Sequence, residues 1–308
     1  MDSIIFNEAH LSQFQADGYT ILSGLIDQAR IDCWKETFHS LISELEPIRR
    51  LPQNGLGGQI VLDNLVEHAP EVMLPAAANA TILDFLETIM GPFIQLESLR
   101  INLTEPAKRE HVEVETRNWH RDMWALTVGR TDTYLPPNAC NMLTYFQDMD
   151  EAMGPLRILP GSHRSQDLVA EQFQAQANER LIYAQAGDVV VIHSALIHAA
   201  SPNISHRSRY FISRFYNKSY LPHRDVHSGP NTQQIIDIGR QRNDRRLMRL
   251  FGVDDLLFSR QVDANQSEAE LWQMWIEQDR STKKSASDPT FAFIHSITPS
   301  TCLPVRYQ

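Results

Sequence analysis

The sequence is poor in cysteine and has no long apolar run. Cys33, Cys140 and Cys302 are its only cysteines among 308 residues, and they are widely spaced without a CxxC motif. This pattern disfavours a disulfide framework and a thiolate zinc site. No run approaches the roughly 18 consecutive apolar residues of a membrane span, and the first residues lack the basic and apolar regions of a signal peptide. We therefore expect a soluble, cytoplasmic protein without a membrane partner.

The chain also lacks an excess of positive charge. It has 28 lysines and arginines against 38 aspartates and glutamates, which gives a formal net charge of −10. A nucleic-acid-binding protein normally carries a basic face, so a nucleic-acid partner is disfavoured. An apolar fraction of 42% is ordinary for a globular protein. No repeat or linker divides the sequence, which predicts one domain over residues 1–308.

Hydrophobic spacing divides this domain into three parts. The first part, residues 1–92, is predicted to hold helices and one early strand. Residues 93–216 contain several short β-like runs separated by turn signals, which favours an all-β barrel or sandwich. Residues 217–308 return to helical spacing and form an extension. The predicted elements of the outer parts are a helix at 7–16, a strand at 19–26, an amphipathic helix at 27–46, a polar loop at 51–60, a helix at 80–90, helices within 230–280 and irregular chain at 281–308.

The segment NWHRDMW, residues 118–124, holds the first candidate functional residues. Alternate side chains of a strand share a face. His120, Asp122 and Trp124 would therefore point one way, and Trp119 and Arg121 the other. An imidazole and a carboxylate aimed at one point suggest a metal site that needs a third ligand.

A third ligand is available in GDVVVIHSALIHAASPN, residues 187–203, where His193 and His198 are both candidates. Two histidines and one carboxylate on one face leave open positions on iron(II), which can take a 2-oxoacid and dioxygen. Zinc also accepts these donors, so the ligand types do not name the metal.

A 2-oxoacid needs a cation for its distant carboxylate, and the planar fork of arginine suits that pairing. The segment SRYFISRFY, residues 208–216, places Arg209 and Ser213 on one strand face. Both side chains could bind the same carboxylate. Arg214 points to the opposite face.

These segments occur in an order that resembles a known family. WHRD, GPLRILPGSHR, GDVVVIH, HAASPN and RYFIS, spread over about residues 8–216, are similar to the motifs of the phytanoyl-CoA dioxygenase family of iron(II)/2-oxoglutarate oxygenases. The resemblance implies a mainly β protein with flanking helices, folded as a double-stranded β-helix (a cupin-like jelly roll). It also implies that His120, Asp122 and His198 hold iron and that Arg209 binds 2-oxoglutarate. His193 is not a ligand in this alignment.

Four further residues are candidates for the same pocket. The resemblance aligns Ser213 with a serine that commonly follows the 2-oxoglutarate arginine, and Asn102 is a further cosubstrate candidate on the strand before the His-x-Asp motif. Arg117 could reach the cosubstrate if its strand begins irregularly. Trp124 could line the substrate pocket, although core packing explains an aromatic residue there equally well.

The resemblance implies oxidation, most simply hydroxylation, of a C–H bond in a small organic molecule such as a secondary metabolite. Iron(II), 2-oxoglutarate and O2 would be the cofactors, with succinate and CO2 released. Two alternatives stay open: a metal-dependent cupin-like isomerase or epimerase, and a non-catalytic jelly-roll binding protein. The stripe of Leu271, Met274, Trp275 and Gln278 is more typical of core packing or a homodimer contact than of a lid over the substrate.

Overall fold

A computed structural model describes most of the chain. The described residues are 6–46, 49–51, 57–108, 118–122, 134–166, 169, 173–254, 256–257, 259–260 and 264–281. The chain divides into two compact units. The first unit consists of Met1–Asp63 and Arg100–Arg214, and the second consists of Asn64–Leu99 and Phe215–Gln308. The single functional domain expected over residues 1–308 stays a prediction.

Among the described residues at the start of the first unit, two helices flank its first strand. Helix α1 covers Glu8–Asp17, and the side chain of Asn7 accepts hydrogen bonds from the amides of its first turn. Such a cap satisfies amides that have no partner inside the helix. Helix α2 covers Gln28–Glu44 and begins where Asp27 accepts a hydrogen bond from the amide of Arg30, at 2.7 Å. Both helices lie where hydrophobic spacing predicts them.

The part of the chain that the structure describes contains ten strands, from the β-rich part of the sequence and its flanks. Seven of them form one sheet in the order β1-β8-β5-β10-β4-β3-β2, and three form a second sheet in the order β7-β6-β9. Their bounds are β1 Tyr19–Leu22, β2 Arg49–Leu51, β3 Gln59–Leu62, β4 Ile94–Thr104, β5 Ala139–Tyr145, β6 Leu156–Ile158, β7 Arg180–Ile182, β8 Val189–His193, β9 His198–Ala199 and β10 Arg209–Lys218.

The core of the first unit contains apolar residues from both sheets. Leu143 and Val190 from the seven-stranded sheet join Ile158 and Ile182 from the three-stranded sheet in one buried cluster. Neighbouring strands pair antiparallel, as β5 does with β8 and β6 with β9. Two antiparallel sheets closed over a shared core form a jelly roll. The predicted fold class, mainly β with flanking helices, is confirmed.

Helix α2 packs on the outer face of the large sheet. Trp34 of this helix is buried, with its ring 6.0 Å from the ring of Phe146 and 5.6 Å from the guanidinium of Arg214. Arg214 also donates to Thr144 Oγ1 at 2.6 Å. The face of β10 opposite Arg209 is therefore used for packing a helix, in agreement with the predicted alternation.

In the described residues of the second unit, the regular elements are helices apart from the parts of β4 and β10 that it contains. Its arginines are largely engaged in ion pairs: buried Arg249 contacts Asp254 and Asp279 at 2.8 Å each, and Arg246 contacts Asp84 at 2.7 Å. Four of the five arginines in GRQRNDRRLMRLFG, residues 239–252, form such pairs. The helices are α3 Leu65–His68, α4 Pro70–Ala77, α5 Ala80–Met90, α6 Pro230–Arg242, α7 Arg245–Leu250 and α8 Glu268–Ser281.

One stretch of the second unit is long and apolar enough to cross a membrane by length and composition alone. Within this stretch, Pro70–Met90, 18 consecutive residues have a mean hydropathy of 1.3, and 56% of those residues are buried. The stretch consists of α4 and α5, which are separated at residues 78–79. Core helices of soluble proteins meet the same criterion, so the stretch is weak evidence for a membrane span.

Three elements differ from the sequence-based expectation. The predicted loop 51–60 overlaps both strands of a β2–β3 hairpin, in which Arg50 pairs with Ile60. Strand β1 ends at Leu22, because the backbone turns at Gly24 and its amide binds the carboxylate of Asp188 at 2.9 Å. Residues 118–122 make one isolated β-bridge instead of a regular strand. The second and third differences depend on partners that are distant in sequence.

Gly18, after the end of α1, allows a stability prediction. It has φ +81°, and a Cβ there would lie 2.6 Å from His163 Nδ1 and 2.9 Å from Leu196 Cδ1. Gly24 is the matched control, since its φ is +62° and no atom lies within 4 Å of its Cβ position. We expect Gly24→Ala to cost about 1 kcal/mol, the backbone cost alone. Gly18→Ala should cost clearly more in chemical denaturation, and equal losses would contradict this packing.

Candidate metal centre

Two separate segments carry the three candidate metal ligands. His120 and His198 form an antiparallel bridge, and each amide donates to the other residue's carbonyl at 3.0 Å. The amide of Asp122 donates to the carbonyl of Ser194, also at 3.0 Å. These backbone bonds set the two segments side by side and fix which residues face the same point.

The bridge brings His120, Asp122 and His198 together. Their candidate ligand atoms all lie within 4.8 Å of one another. His198 Nε2 is 4.0 Å from Asp122 Oδ1, and the two imidazole ring centroids are 4.3 Å apart at an angle of 52°. Among the described residues this is the one group of three or more histidines, cysteines and carboxylates with such spacing.

The hydrogen bonds of both histidines leave the same nitrogen available. His120 Nδ1 lies 2.8 Å from the carbonyl of Asn118, and His198 Nδ1 lies 2.9 Å from the carbonyl of Leu196. A carbonyl accepts only from an N–H, so Nδ1 carries the proton in each neutral ring. Nε2 then keeps its lone pair, which is the arrangement that metal-binding histidines use.

The carboxylate of Asp122 has an unused acceptor. Its Oδ2 is buried and has no hydrogen-bond partner among the described residues. A buried carboxylate oxygen without a partner is costly unless a ligand or ion completes it. Two lone pairs and an unpartnered carboxylate oxygen on one face therefore fit a divalent metal ion.

The neighbourhood keeps His120 neutral. Although part of His120 is exposed, desolvation by the surrounding protein lowers its pKa, and the nearby ring of His198 lowers it further. The carbonyl of Asn118 and the carboxylate of Asp122 act in the opposite direction. A neutral imidazole is the form that binds a metal.

Arg209 lies on β10 with its guanidinium buried. Its Nη1 donates to the carbonyls of Met153, Gly154 and Ser201, and its Nη2 lies 3.5 Å from Thr104 Oγ1. Its Nε has no partner, and it forms no ion pair within the described part of the chain. Burial lowers its pKa. A buried cation surrounded by neutral oxygens is suited to an anionic ligand.

Gly154 permits this arrangement. It has φ +76°, and a Cβ there would lie 2.5 Å from both Arg209 Nη1 and the carbonyl of Pro202. Only glycine tolerates both the backbone conformation and this close approach. Ser201, whose carbonyl receives Arg209, follows His198 by three residues, so the same loop contacts Arg209 and carries a candidate metal ligand.

The other predicted cosubstrate residues have defined places. Ser213 is buried and donates to Asn141 Oδ1 at 2.8 Å. Asn102 is two residues before Thr104 on β4, so both side chains lie on one face of the strand. Arg117 and Trp124 lie outside the described residues. Their predicted roles, like those of the other site residues, stay predictions.

Three polar residues beside Arg209 and Ser213 were missed from the sequence: Thr104, Asn141 and Tyr145. Tyr145 is buried, and burial raises its pKa while the positive charge of Arg209 opposes that shift. Its ring is 5.6 Å from that of Phe211, on the same face of β10 as Arg209. Alternation within one strand could not single out these three residues, because the side chains they contact come from other strands.

His193 is not brought into the metal centre. Its Nδ1 accepts a hydrogen bond from the amide of Ala195 at 3.0 Å, which leaves the proton on Nε2. This is the opposite tautomer to that of His198. Its ring packs against Phe14 and His163, at centroid distances of 5.9 and 5.0 Å. His193 thus contributes to the packing of α1 on the sheet.

The sequence profile of the phytanoyl-CoA dioxygenase (PhyH) family matches residues 14–211, which is more than half of the chain. The chain belongs to the phytanoyl-CoA dioxygenase family. This family comprises iron- and 2-oxoglutarate-dependent enzymes. No curated protein sequence matches the chain significantly.

Solved structures share the fold of this phytanoyl-CoA dioxygenase family member. HygX from Streptomyces hygroscopicus, solved with nickel and 2-oxoglutarate, has a TM-score of 0.58 and 13% identity, over 71% of this chain and 89% of HygX. The epimerase SnoN from nogalamycin biosynthesis has a TM-score of 0.54 and 18% identity, over 69% and 83%. The carbocyclase SnoK from the same biosynthesis has 0.56 and 14%, over 74% and 90%. At these identities the likeness establishes the fold.

The buried histidines outside the centre generate a pH prediction. Burial lowers the pKa of His193 to about 3 and that of His163 to about 4. The unfolded chain, with histidine pKa values near 6.5, binds protons that the folded chain does not. Stability should therefore fall as pH drops from about 6.5 towards 4, by up to roughly 1.4 kcal/mol per pH unit for each histidine.

Replacing His193 measures how much this histidine contributes to the dependence of stability on pH. In His193→Gln we expect the loss of unfolding free energy between pH 7 and pH 4 to be smaller than in wild type. The comparison uses the slope with pH, so a uniform loss of stability does not affect it. Parallel pH curves for the variant and wild type would contradict a buried, neutral His193.

Proposed function

We propose that this protein is a non-haem iron(II)/2-oxoglutarate-dependent dioxygenase that oxidises a C–H bond of a small organic molecule. The observation that carries the proposal is the convergence of His120, Asp122 and His198, whose candidate ligand atoms lie within 4.8 Å of one another. The hydrogen bonds at Nδ1 leave Nε2 of both histidines available. These three residues would hold the iron. Family membership supports iron over zinc, which the same donors would accept.

When bound, iron with 2-oxoglutarate and O2 supplies the oxidising chemistry, and succinate and CO2 are the co-products. The chain's own task is to place the reactants and keep water away. Because two imidazoles and one carboxylate supply only three donors, a metal held by these residues would still accept such ligands. The backbone bridge between His120 and His198 keeps the donors in place before the metal arrives.

Arg209 would bind the distant carboxylate of 2-oxoglutarate. Carbonyl oxygens hold its Nη1 on one side, and its Nε is left without a partner. A carboxylate there would complete the hydrogen bonds of a buried cation, and hydrogen bonds to charged groups contribute about 1.5–3 kcal/mol each. Ser213, oriented by Asn141, would donate to the same carboxylate after a change of partner. Asn102 and Arg117 are weaker candidates for cosubstrate contacts.

Arg209 also favours the dioxygenase over the alternatives. A cupin-like isomerase needs no anchor for an oxoacid, and a binding protein needs neither the anchor nor three convergent metal donors. Among the reactions of enzymes with this fold, we propose hydroxylation for this protein. SnoN is an epimerase and SnoK a carbocyclase, so product analysis must distinguish hydroxylation from these outcomes.

The support for a small-molecule substrate comes from the ligands of solved structures with a similar fold. HygX has been solved with hygromycin B, and SnoN with nogalamycin RO. These ligands favour a secondary metabolite as the substrate class, with Trp124 as a candidate pocket residue. We further propose that the 308-residue chain works as one dioxygenase in the cytoplasm; a homodimer is a compatible assembly.

Metal binding distinguishes His198 from its neighbour His193. We expect His198→Ala to weaken Ni(II) binding, an oxidation-resistant probe for iron, by at least about 100-fold, since one of three donors is lost. His193→Ala is the matched control and should bind Ni(II) like wild type, because its Nε2 carries the proton. Calorimetric titration measures both. Loss of binding in His193→Ala with retention in His198→Ala would reverse the assignment.

Cosubstrate binding tests Arg209. We expect Arg209→Ala to keep Ni(II) but to raise the Kd for 2-oxoglutarate by about 100-fold or more, because a charged bidentate contact is lost. The control is Arg180→Ala, which removes an arginine that contacts Tyr19 and Asp17 instead. Unchanged 2-oxoglutarate affinity in Arg209→Ala would contradict the proposed binding of the 2-oxoglutarate carboxylate by Arg209.

A further inference from the structure

Arg121 lies between the two candidate ligands of the His-x-Asp motif but points away from them. Its Nε donates to the carbonyl of Ala195 at 2.9 Å. Its Nη2 donates to the carbonyls of Ser162 and Ser165, at 3.1 and 3.2 Å. One guanidinium therefore binds two loops that are distant from it in sequence.

Both of these loops reach His198. Ala195 lies in the turn between Ser194, which receives the amide of Asp122, and His198. Ser162 Oγ accepts a hydrogen bond from the amide of Ile197 at 2.8 Å. The amide of Leu159 donates to the carbonyl of Ile197 at 2.9 Å. The PGSH turn is thus fastened to the residue that directly precedes His198.

These contacts form a closed ring of hydrogen bonds. It passes from Arg121 to Ser162, from Ser162 to Ile197, from there along the chain to His198, and back across the bridge to His120. A ring restrains its members more than a single bridge does, because the bridging residues cannot slide or rotate unless another bond breaks as well. The bridge by itself is a single residue pair, His120 and His198, and is not part of a longer ladder of paired residues.

We infer that Arg121 is a positioning residue for the metal centre, which sets the relative orientation of His120, Asp122 and His198 through carbonyl oxygens. The inference rests on the proposed metal site. Arg121 does not contact the metal position, since its side chain lies on the opposite face of the segment. It acts through the backbone on both sides of the ligand group.

The geometry of arginine is needed for this role. Its planar fork donates from Nε and Nη2 in fixed, diverging directions to carbonyls on separate loops. Lysine keeps the charge but offers a single compact ammonium that cannot reproduce this fork. Residues that orient metal ligands from behind typically change metal affinity by about 10- to 100-fold when replaced.

The test compares Arg121→Met and Arg121→Lys with wild type and with the control Arg180→Met. Arg180 is also in the first unit and also donates side-chain hydrogen bonds, but to Tyr19 and Asp17. Three properties are measured: the Kd for Co(II), the visible absorption spectrum of bound Co(II), and amide hydrogen exchange of residues 118–122 and 194–198 without metal. The spectrum reports ligand geometry, which a general loss of stability does not change.

For Arg121→Met we expect a Kd about 10- to 100-fold higher, a shifted Co(II) spectrum and faster exchange in both segments. Arg121→Lys should lie between this variant and wild type, and it replaces Arg121→Met if that variant does not fold. Arg180→Met should match wild type in all three properties.

Two outcomes would overturn the inference in distinguishable ways. If wild type binds Co(II) and Arg121→Met shows the same Kd and spectrum, the positioning role is wrong while the metal site stands. If wild type takes up no metal, the proposed function fails and the positioning role fails with it.

Discussion

The candidate metal centre depends on two backbone hydrogen bonds between His120 and His198. They join segments that are far apart in sequence, and one of these segments makes no regular strand. The bridge determines that both imidazoles point to the same side. The carbonyls of Asn118 and Leu196 then hold each ring by Nδ1, so that Nε2 is directed to the common point. Backbone geometry thus prepares the donor group without any direct bond between the side chains.

The two units use buried arginines differently. In the second unit Arg249 is neutralised by the carboxylates of Asp254 and Asp279, a structural arrangement that needs no ligand. In the first unit Arg209 is nearly as buried, with 5% of its surface exposed, but it is surrounded by carbonyls and a hydroxyl. Burying an uncompensated charge is unfavourable, and such residues concentrate at functional sites. An anionic cosubstrate would remove this cost.

The sequence predicted the features that depend on local pattern. Helices α2 and α5 follow from apolar spacing and from their flanking residues Asp27 and Gly91. Short alternating runs predicted an all-β barrel or sandwich, and the family resemblance narrowed this to a jelly roll. Strand alternation placed His120 and Asp122 on one face, whereas the choice of His198 over His193 came from the resemblance.

Most of the remaining features depend on contacts between distant residues, which periodicity does not encode. The β2–β3 hairpin is a local exception: it was read as a loop because the sequence at 51–60 is polar and contains three glycines. The division into two units, each made of two chain segments, leaves no linker in the sequence. Thr104, Tyr145 and Asn141 surround Arg209 and Ser213 through strand neighbours. Arg121 was read only as facing away from the ligands; its carbonyl partners come from two other loops.

The most direct test of the central claim is an anaerobic titration of the wild-type protein with iron(II) and 2-oxoglutarate, followed by visible absorption. The account predicts a weak charge-transfer band that requires both components and saturates at one equivalent of iron per chain, since iron must chelate 2-oxoglutarate to give it. Iron uptake without a band would contradict the 2-oxoglutarate role and favour a metal-dependent isomerase. No iron uptake would contradict the metal centre itself.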